Sequence, residues 1–313
     1  MTTIAEIIAA AVAAAGRPRL AVAAAADPEV LRAVEDARRA GLADAVLFAG
    51  AAELRAVAAA EGIDLAPYRI VDLADPAAAA AAAVAAVRSG EAEILMKGLL
   101  DTAQLLKAAL NKEAGLGTGR LLSHVGVLES PYYRKLLLLS DAAINIAPVL
   151  AEKADIIRNA AGLARALGIA EPKVAVLAAV EKVNAEKMPC TADAALLTQM
   201  NRRGQISGCL VDGPLALDNA VSAEAARIKG IGGPVAGDAD ILLAPDIEAG
   251  NLLYKALIDL GGAKGAGLVL GAAVPIVLTS RSDTAETKLA SIALAVLAGR
   301  GAAGRGTATG APL

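Results

Sequence analysis

Short apolar runs alternate with longer, Ala-rich amphipathic segments along almost the whole chain, and this rhythm limits the possible folds more than any other feature. Residues 19–24 form the first apolar run, which predicts a strand. Asp27-Pro28 then opens a helix. The Asp carboxylate caps free N–H groups, and proline suits the first helical position, where its missing N–H costs nothing. Gly41 closes that helix. A strand at 45–49, a helix ending at Gly62 and a strand at 68–72 follow. Asp75-Pro76 repeats the cap and Gly90 the stop. A strand at 94–96 then leads into Lys97-Gly98, with a helix from about Asp101.

The same alternation continues to the end. Strands are predicted at 122–128, 142–146, 174–178, 206–211, 241–244, 268–270 and 276–279. Helices are predicted at 150–167, 192–203, 220–229, 251–260 and 284–298. Strands that alternate with helices imply an α/β fold whose mainly parallel sheets are covered on both faces. So many strands suit two α/β/α domains better than one. The expected division is 1–128 for the first domain and 129–283 for the second. The tail 299–313, rich in Gly, Ala and Thr, is expected to be frayed or disordered.

Composition removes several classes of function. Hydrophobic residues make up 56% of the 313, but much of that is alanine. The richest apolar stretch, 77–87, is too short to span a bilayer, so no membrane association is expected. The first residues lack a basic region before an apolar segment, which predicts no signal peptide and a cytoplasmic location. Cys190 and Cys209 are the two cysteines, too few for a disulfide framework. A single histidine and no CxxC argue against zinc. A net charge of −3 and 2% aromatic residues argue against nucleic acid as a partner.

Ligands of open α/β sheets bind beyond the carboxyl ends of the strands, so the polar residues expected there are the candidates. Lys97-Gly98 follows the strand at 94–96, and Asp212-Gly213-Pro214 follows that at 206–211. Pro245-Asp246 follows 241–244, with Gly250-Asn251 opening the next helix. Ser280-Arg281-Ser282-Asp283 follows 276–279. Each has a structural alternative. Asp212 suits a turn, Asp246 an Asx turn or helix cap, and Asp283 an N-cap with Glu286 completing a capping box. Arg281, between a strand and a helix start, points to anion binding. The glycines of 115–119 match no phosphate-loop spacing and predict a flexible loop. His124 falls inside a strand and predicts a core histidine. No basic group adjoins either cysteine to make it a nucleophile.

Taken together, these segments resemble the phosphate acetyltransferase and phosphate butyryltransferase family. Asp212-Gly213-Pro214-Leu215-Ala216-Leu217-Asp218 resembles its DGPL…D segment, and Pro245-Asp246-Ile247-Glu248-Ala249-Gly250-Asn251, continued by Tyr254-Lys255, its PD…GN segment. Ser280-Arg281 matches its C-terminal Ser-Arg pair. Lys97-Gly98-Leu99 and Leu121-Leu122-Ser123-His124-Val125 resemble the butyryltransferase branch. The resemblance runs from about residue 93 to 297.

The resemblance implies two α/β/α domains with an interdomain cleft, related to the isocitrate and isopropylmalate dehydrogenases. It implies that the last helix, 284–298, joins the first domain, that the protein is a homodimer or higher homo-oligomer, and that no metal or permanently bound cofactor is needed. Coenzyme A and phosphate are then substrates, with acyl-CoA and acyl phosphate as the exchanged species. Ser280 and Arg281 carry over directly as catalytic residues. Asp283 is the choice for the catalytic carboxylate, in a segment, 282–286, that admits more than one alignment. Lys97, Gly98, Asp212, Asp246, Gly250, Asn251 and Lys264 are the expected substrate-binding residues.

That chemistry suits these residue types. Both substrates are anionic, and Arg281 offers a bidentate fork to phosphate, assisted by Lys97 or Lys264. A carboxylate such as Asp283 can accept the thiol proton, and Ser280 can stabilise an oxyanion. Three other readings remain open: a phosphate acetyltransferase, a metal- and NAD(P)-dependent oxidoreductase on a similar fold, and a non-catalytic acyl-CoA-binding protein. The oxidoreductase needs clustered carboxylates that the sequence does not display, and the retained Ser280-Arg281 pair argues against the last.

Overall fold

The computed structural model describes residues 1–14, 16–280 and 283–303. The first stretch holds α1 (Ile4–Ala13), β1 (Arg19–Ala23), α2 (Pro28–Arg39), β2 (Asp44–Ala49), α3 (Ala51–Glu61), β3 (Arg69–Asp72), α4 (Pro76–Arg88), β4 (Ile94–Lys97) and α5 (Thr102–Ala109). The middle holds β5 (Ser123–Glu129), β6 (Leu137–Ser140), α6 (Leu150–Ala166), β7 (Lys173–Leu177), α7 (Pro189–Arg202), β8 (Leu210–Leu215), α8 (Leu217–Val221), α9 (Ala223–Ile228), β9 (Ile241–Leu243) and α10 (Ile247–Lys255). The last stretch holds β10 (Lys264–Leu270), β11 (Ile276–Val277) and α11 (Ala285–Ala303). No described helix is long and apolar enough to cross a membrane.

The local signals act as expected. Asp27 accepts the N–H of Val30 at 2.9 Å, and Asp75 accepts those of Ala77 and Ala78. Gly62 ends α3 in the left-handed region, at φ 65°, where a side chain would be strained.

The chain forms two compact units. The first comprises Ala5–Arg120 and the chain from Ala266 on. Its strands lie in the order β3-β2-β1-β4-β11-β10. All neighbours are parallel except β10 and β11. The second comprises Met1–Ile4 and Leu121–Gly265, ordered β5-β6-β9-β7-β8, with only β5 and β6 antiparallel. The class is therefore α/β with mainly parallel strands. The units divide at 120/121 and 265/266, not at 128/129 and 283/284. Pairing explains the shift: β5 bonds to β6, and β11 bonds to β4.

Apolar strands supply both cores. Leu20, Val22, Leu47, Leu95, Met96 and Ile276 are fully buried or nearly so in the first unit, and Leu128, Leu139, Val174 and Leu242 in the second. In the first unit α11 packs on α2, and Glu29 of α2 accepts the N–H of Ala285 at 2.8 Å.

Two predicted strands are corrected. Residues 142–146 do not form one; the strand is β6, at Leu137–Ser140. Asp141 ends it, because its carboxylate gathers the N–H groups of His124, Ala143, Ile144 and Asn145 and turns the chain. Residues 206–211 likewise give way to β8, Leu210–Leu215. Asp212-Gly213-Pro214 thus lies within a strand and not after it. The proline is tolerated because β8 is an edge strand, bonded only to β7 and with a register shift there. The glycine loop at 115–119 is tied down, with Thr118 Oγ1 donating to Gly271 O at 2.6 Å. α11 extends to Ala303, five residues beyond the predicted helix end, and the rest of the expected disordered tail lies outside the described residues.

Candidate active site

In the first unit the strand order reverses direction between β1 and β4. Such a switch point leaves a crevice at the carboxyl ends of the two strands. Lys97 is the last residue of β4 and is only 5% exposed. Gly98 follows it across the end of β1, donating its N–H to Ala23 O at 2.8 Å, and Leu99 donates to Ala24 O at 2.7 Å. A Cβ on Gly98 would stand 2.1 Å from Ala24 O, so only glycine permits this crossing.

Lys97 lines a small cavity of about 10 Å³ with Asp27, Thr279, Ser280 and Lys288. That volume is about what one water molecule needs. Ser280 comes from the chain after β11 and donates its backbone N–H to Asp283 Oδ2 at 2.6 Å. Asp283 returns an N–H to Ser280 O at 3.2 Å. Lys288 stands one turn into α11, is 3% exposed, and donates to Ser280 O at 3.4 Å and to Asp283 O. It forms no ion pair among the described residues. Its described hydrogen bonds go to these two backbone carbonyls, and Asp27 lines the same cavity.

Arg281 and Ser282 lie outside the described residues. Asp283 does not cap α11. Its carboxylate is turned to Ser280, and Thr284 takes the cap position, accepting the N–H of Thr287 at 3.3 Å. Lys288 was missed by sequence reasoning. A lysine in a helix ordinarily reads as solvated, and no local signal in the sequence marks this one as buried.

The second unit holds the other expected residues. Asp246 caps α10, accepting the N–H of Ala249 at 2.9 Å. Gly250 presses α10 onto the chain after β6, where a Cβ would stand 2.3 Å from Asp141 O. Asn251 Nδ2 donates to Ala142 O at 3.0 Å. Gly250 and Asn251 thus seat the helix, which gives them a structural part besides any contact with substrate. Asp212 is half-buried in β8, accepts from the N–H of Gly213 at 3.0 Å, and has its carboxyl pushed above the ordinary range by burial. Lys264 is exposed at the start of β10.

His124 is buried in β5, edge-on to Tyr254 at 6.1 Å, as a core histidine should be. Tyr254 lies over Gly126, where a Cβ would stand 2.6 Å from its ring. Cys190 is half-buried and Cys209 buried. Burial raises both thiols, Cys209 to about 11, so neither is poised as a thiolate.

A protein of the α/β class thus buries two lysines, Lys97 and Lys288, which line one cavity with Ser280 beside the β1/β4 switch point. The comparisons with known proteins narrow that class. Residues 73–296 match the family model described as phosphate acetyl/butaryl transferase, and the chain belongs to this family. It is 50% identical to a phosphate butyryltransferase of Clostridium acetobutylicum over 279 residues, covering 89% of this chain and 92% of that protein. It is 48% identical to a phosphate acetyltransferase of Thermotoga maritima, covering 89% and 94%. A branched-chain phosphotransacylase from Enterococcus faecalis V583 superposes with a TM-score of 0.79 at 38% identity, covering 90% of this chain and 99% of that one.

Proposed function

We propose that this enzyme moves a short acyl group, butyryl by preference, between coenzyme A and inorganic phosphate by direct attack in a ternary complex. The observation that carries the reading is the pair of buried lysines, Lys97 and Lys288, beside Ser280 in one cavity. A phosphate oxygen attacks the thioester carbon, a C–O bond forms, the C–S bond breaks, and the sulfur leaves as thiolate to take up a proton. In reverse, the thiol gives its proton to a carboxylate, for which Asp283 is proposed, and its sulfur attacks the acyl phosphate. Ser280 donates to the oxyanion that forms at the carbonyl. Arg281, Lys97 and Lys288 balance the phosphate charge. In this scheme Asp212, Asp246, Gly250, Asn251 and Lys264 serve substrate binding.

Coenzyme A, acyl phosphate and phosphate are then substrates, and no permanently bound cofactor enters the scheme. We further propose a cytoplasmic homodimer or higher oligomer. A second reading, acetyl preference, is favoured by the similarity to the Thermotoga maritima acetyltransferase, which is nearly as close as that to the butyryltransferase. The deciding assay follows phosphate-dependent thiol release from acetyl- through hexanoyl-CoA. Strict acetyl preference moves the assignment to that branch, and no release with any substrate overturns it. Reduction of NAD or NADP by hydroxyacids would instead revive the oxidoreductase reading.

A further inference from the structure

A second cavity, of about 100 Å³, opens at the carboxyl ends of β1, β2 and β3 in the first unit. Ala24, Ala26, Ala49, Gly50, Leu73 and Leu99 supply most of its wall. Among the described residues no cation lines it, and the one ionisable side chain in its lining is the exposed carboxylate of Glu53. Such a wall repels phosphates and carboxylates and favours a neutral apolar group.

Leu99 lines both this cavity and the one that holds Lys97 and Ser280. It is 43% exposed, and its backbone is pinned by the hydrogen bond to Ala24 O at 2.7 Å. An exposed leucine alone means little. A leucine whose backbone is fixed between a charged cavity and an apolar one separates two environments that a single substrate can bridge. A cavity of about 150 Å³ accepts benzene, or about 25 Å³ per carbon. By that measure this space takes about four carbons.

We propose that this cavity is the acyl-chain site, taking an aliphatic tail of about three or four carbons, with Leu99 at the junction between tail and reacting carbonyl. The inference rests on the acyl-transfer reading and adds to it where chain length is sensed. Alanine and glycine walls leave room for a tail, and larger side chains at the same positions would fill it.

The test compares kcat/KM for butyryl-CoA and acetyl-CoA in the full chain and in Ala49→Leu and Ala74→Leu. Ala49 is buried at the end of β2, whereas Ala74 lines the same cavity from an exposed position, so its variant tests the site even where Ala49→Leu misfolds. The butyryl-to-acetyl ratio should fall about ten-fold, the order expected when two methylenes lose their site. An unchanged ratio in the folded variants overturns the proposal. So does an equal loss with both substrates, which would assign the cavity to a part of coenzyme A common to them. If the unaltered chain releases no thiol from any acyl-CoA in the presence of phosphate, the function reading itself fails, and this one with it.

Discussion

Asp283 accepts the backbone N–H of Ser280 through Oδ2 at 2.6 Å. The carboxylate expected to handle a proton therefore also holds the backbone of the serine. The carbonyls of the same two residues converge on Lys288 Nζ. Serine, carboxylate and buried lysine form one mechanical unit at the start of α11, and altering one member should disturb the others.

Arg281→Gln should lower kcat/KM by about 2–4 kcal/mol of transition-state stabilisation, the usual cost of losing a charge-matched donor. Thermal unfolding should stay close to that of the unaltered chain. Near-normal turnover in a folded variant would remove Arg281 from the site.

Lys288→Met keeps the packing of the long stem but deletes the ammonium. Hydrogen bonds to a charged group contribute about 1.5–3 kcal/mol. The loss should appear mainly in kcat, as a roughly ten- to hundred-fold fall, and Lys288→Arg should recover part of it. A lower Tm with unchanged kinetics would limit Lys288 to holding the helix.

Replacing both Cys190 and Cys209 by Ala should leave most activity, because burial keeps both thiols protonated near neutral pH. Mass spectrometry of enzyme mixed with acyl-CoA should show no acylated cysteine. A trapped thioester at either position would replace direct transfer with a ping-pong route.

Glu35 should make folding stability acid-sensitive. The Arg38 guanidinium bonds both of its carboxylate oxygens at 2.9 Å. Tyr68 and Arg39 add bonds at 2.6 Å. Against the opposing effect of burial, these hold its pKa at about 2, below the ordinary 4.5. A value lowered by folding contributes stability that is complete above the unfolded value and fades as pH falls towards the folded one. Denaturant unfolding should therefore show a loss on the order of 2–3 kcal/mol between pH 5 and pH 2. Glu35→Gln should flatten that part of the profile; an unchanged slope would assign the acid sensitivity elsewhere.

Several features were legible in the sequence because they act within a few residues. The caps at Asp27-Pro28 and Asp75-Pro76 need only their own helix. The family segments, from Lys97-Gly98-Leu99 to Ser280-Arg281, were likewise readable as short strings. They led to the reaction class before any geometry was considered. Strand positions were less secure where an apolar run had two possible placements. Asp141, by drawing four N–H groups to one carboxylate, ended β6 and left 142–146 outside the sheet.

By itself, then, the sequence determined the α/β class, the helix caps and the chain's membership of the phosphate acetyl- and butyryltransferase family. Tertiary structure decided that Asp212-Gly213-Pro214 lies inside edge strand β8, that Asp283 bonds Ser280 while Thr284 takes the cap position at α11, and that Lys288 is buried with Lys97 beside one cavity. Local pattern encodes hydrogen bonds between near neighbours and the period of apolar positions. Whether a charge loses its water depends on strands and helices brought together from across the chain. Lys97 and Lys288 stand 191 residues apart in sequence (288 − 97) yet line the same 10 Å³ space.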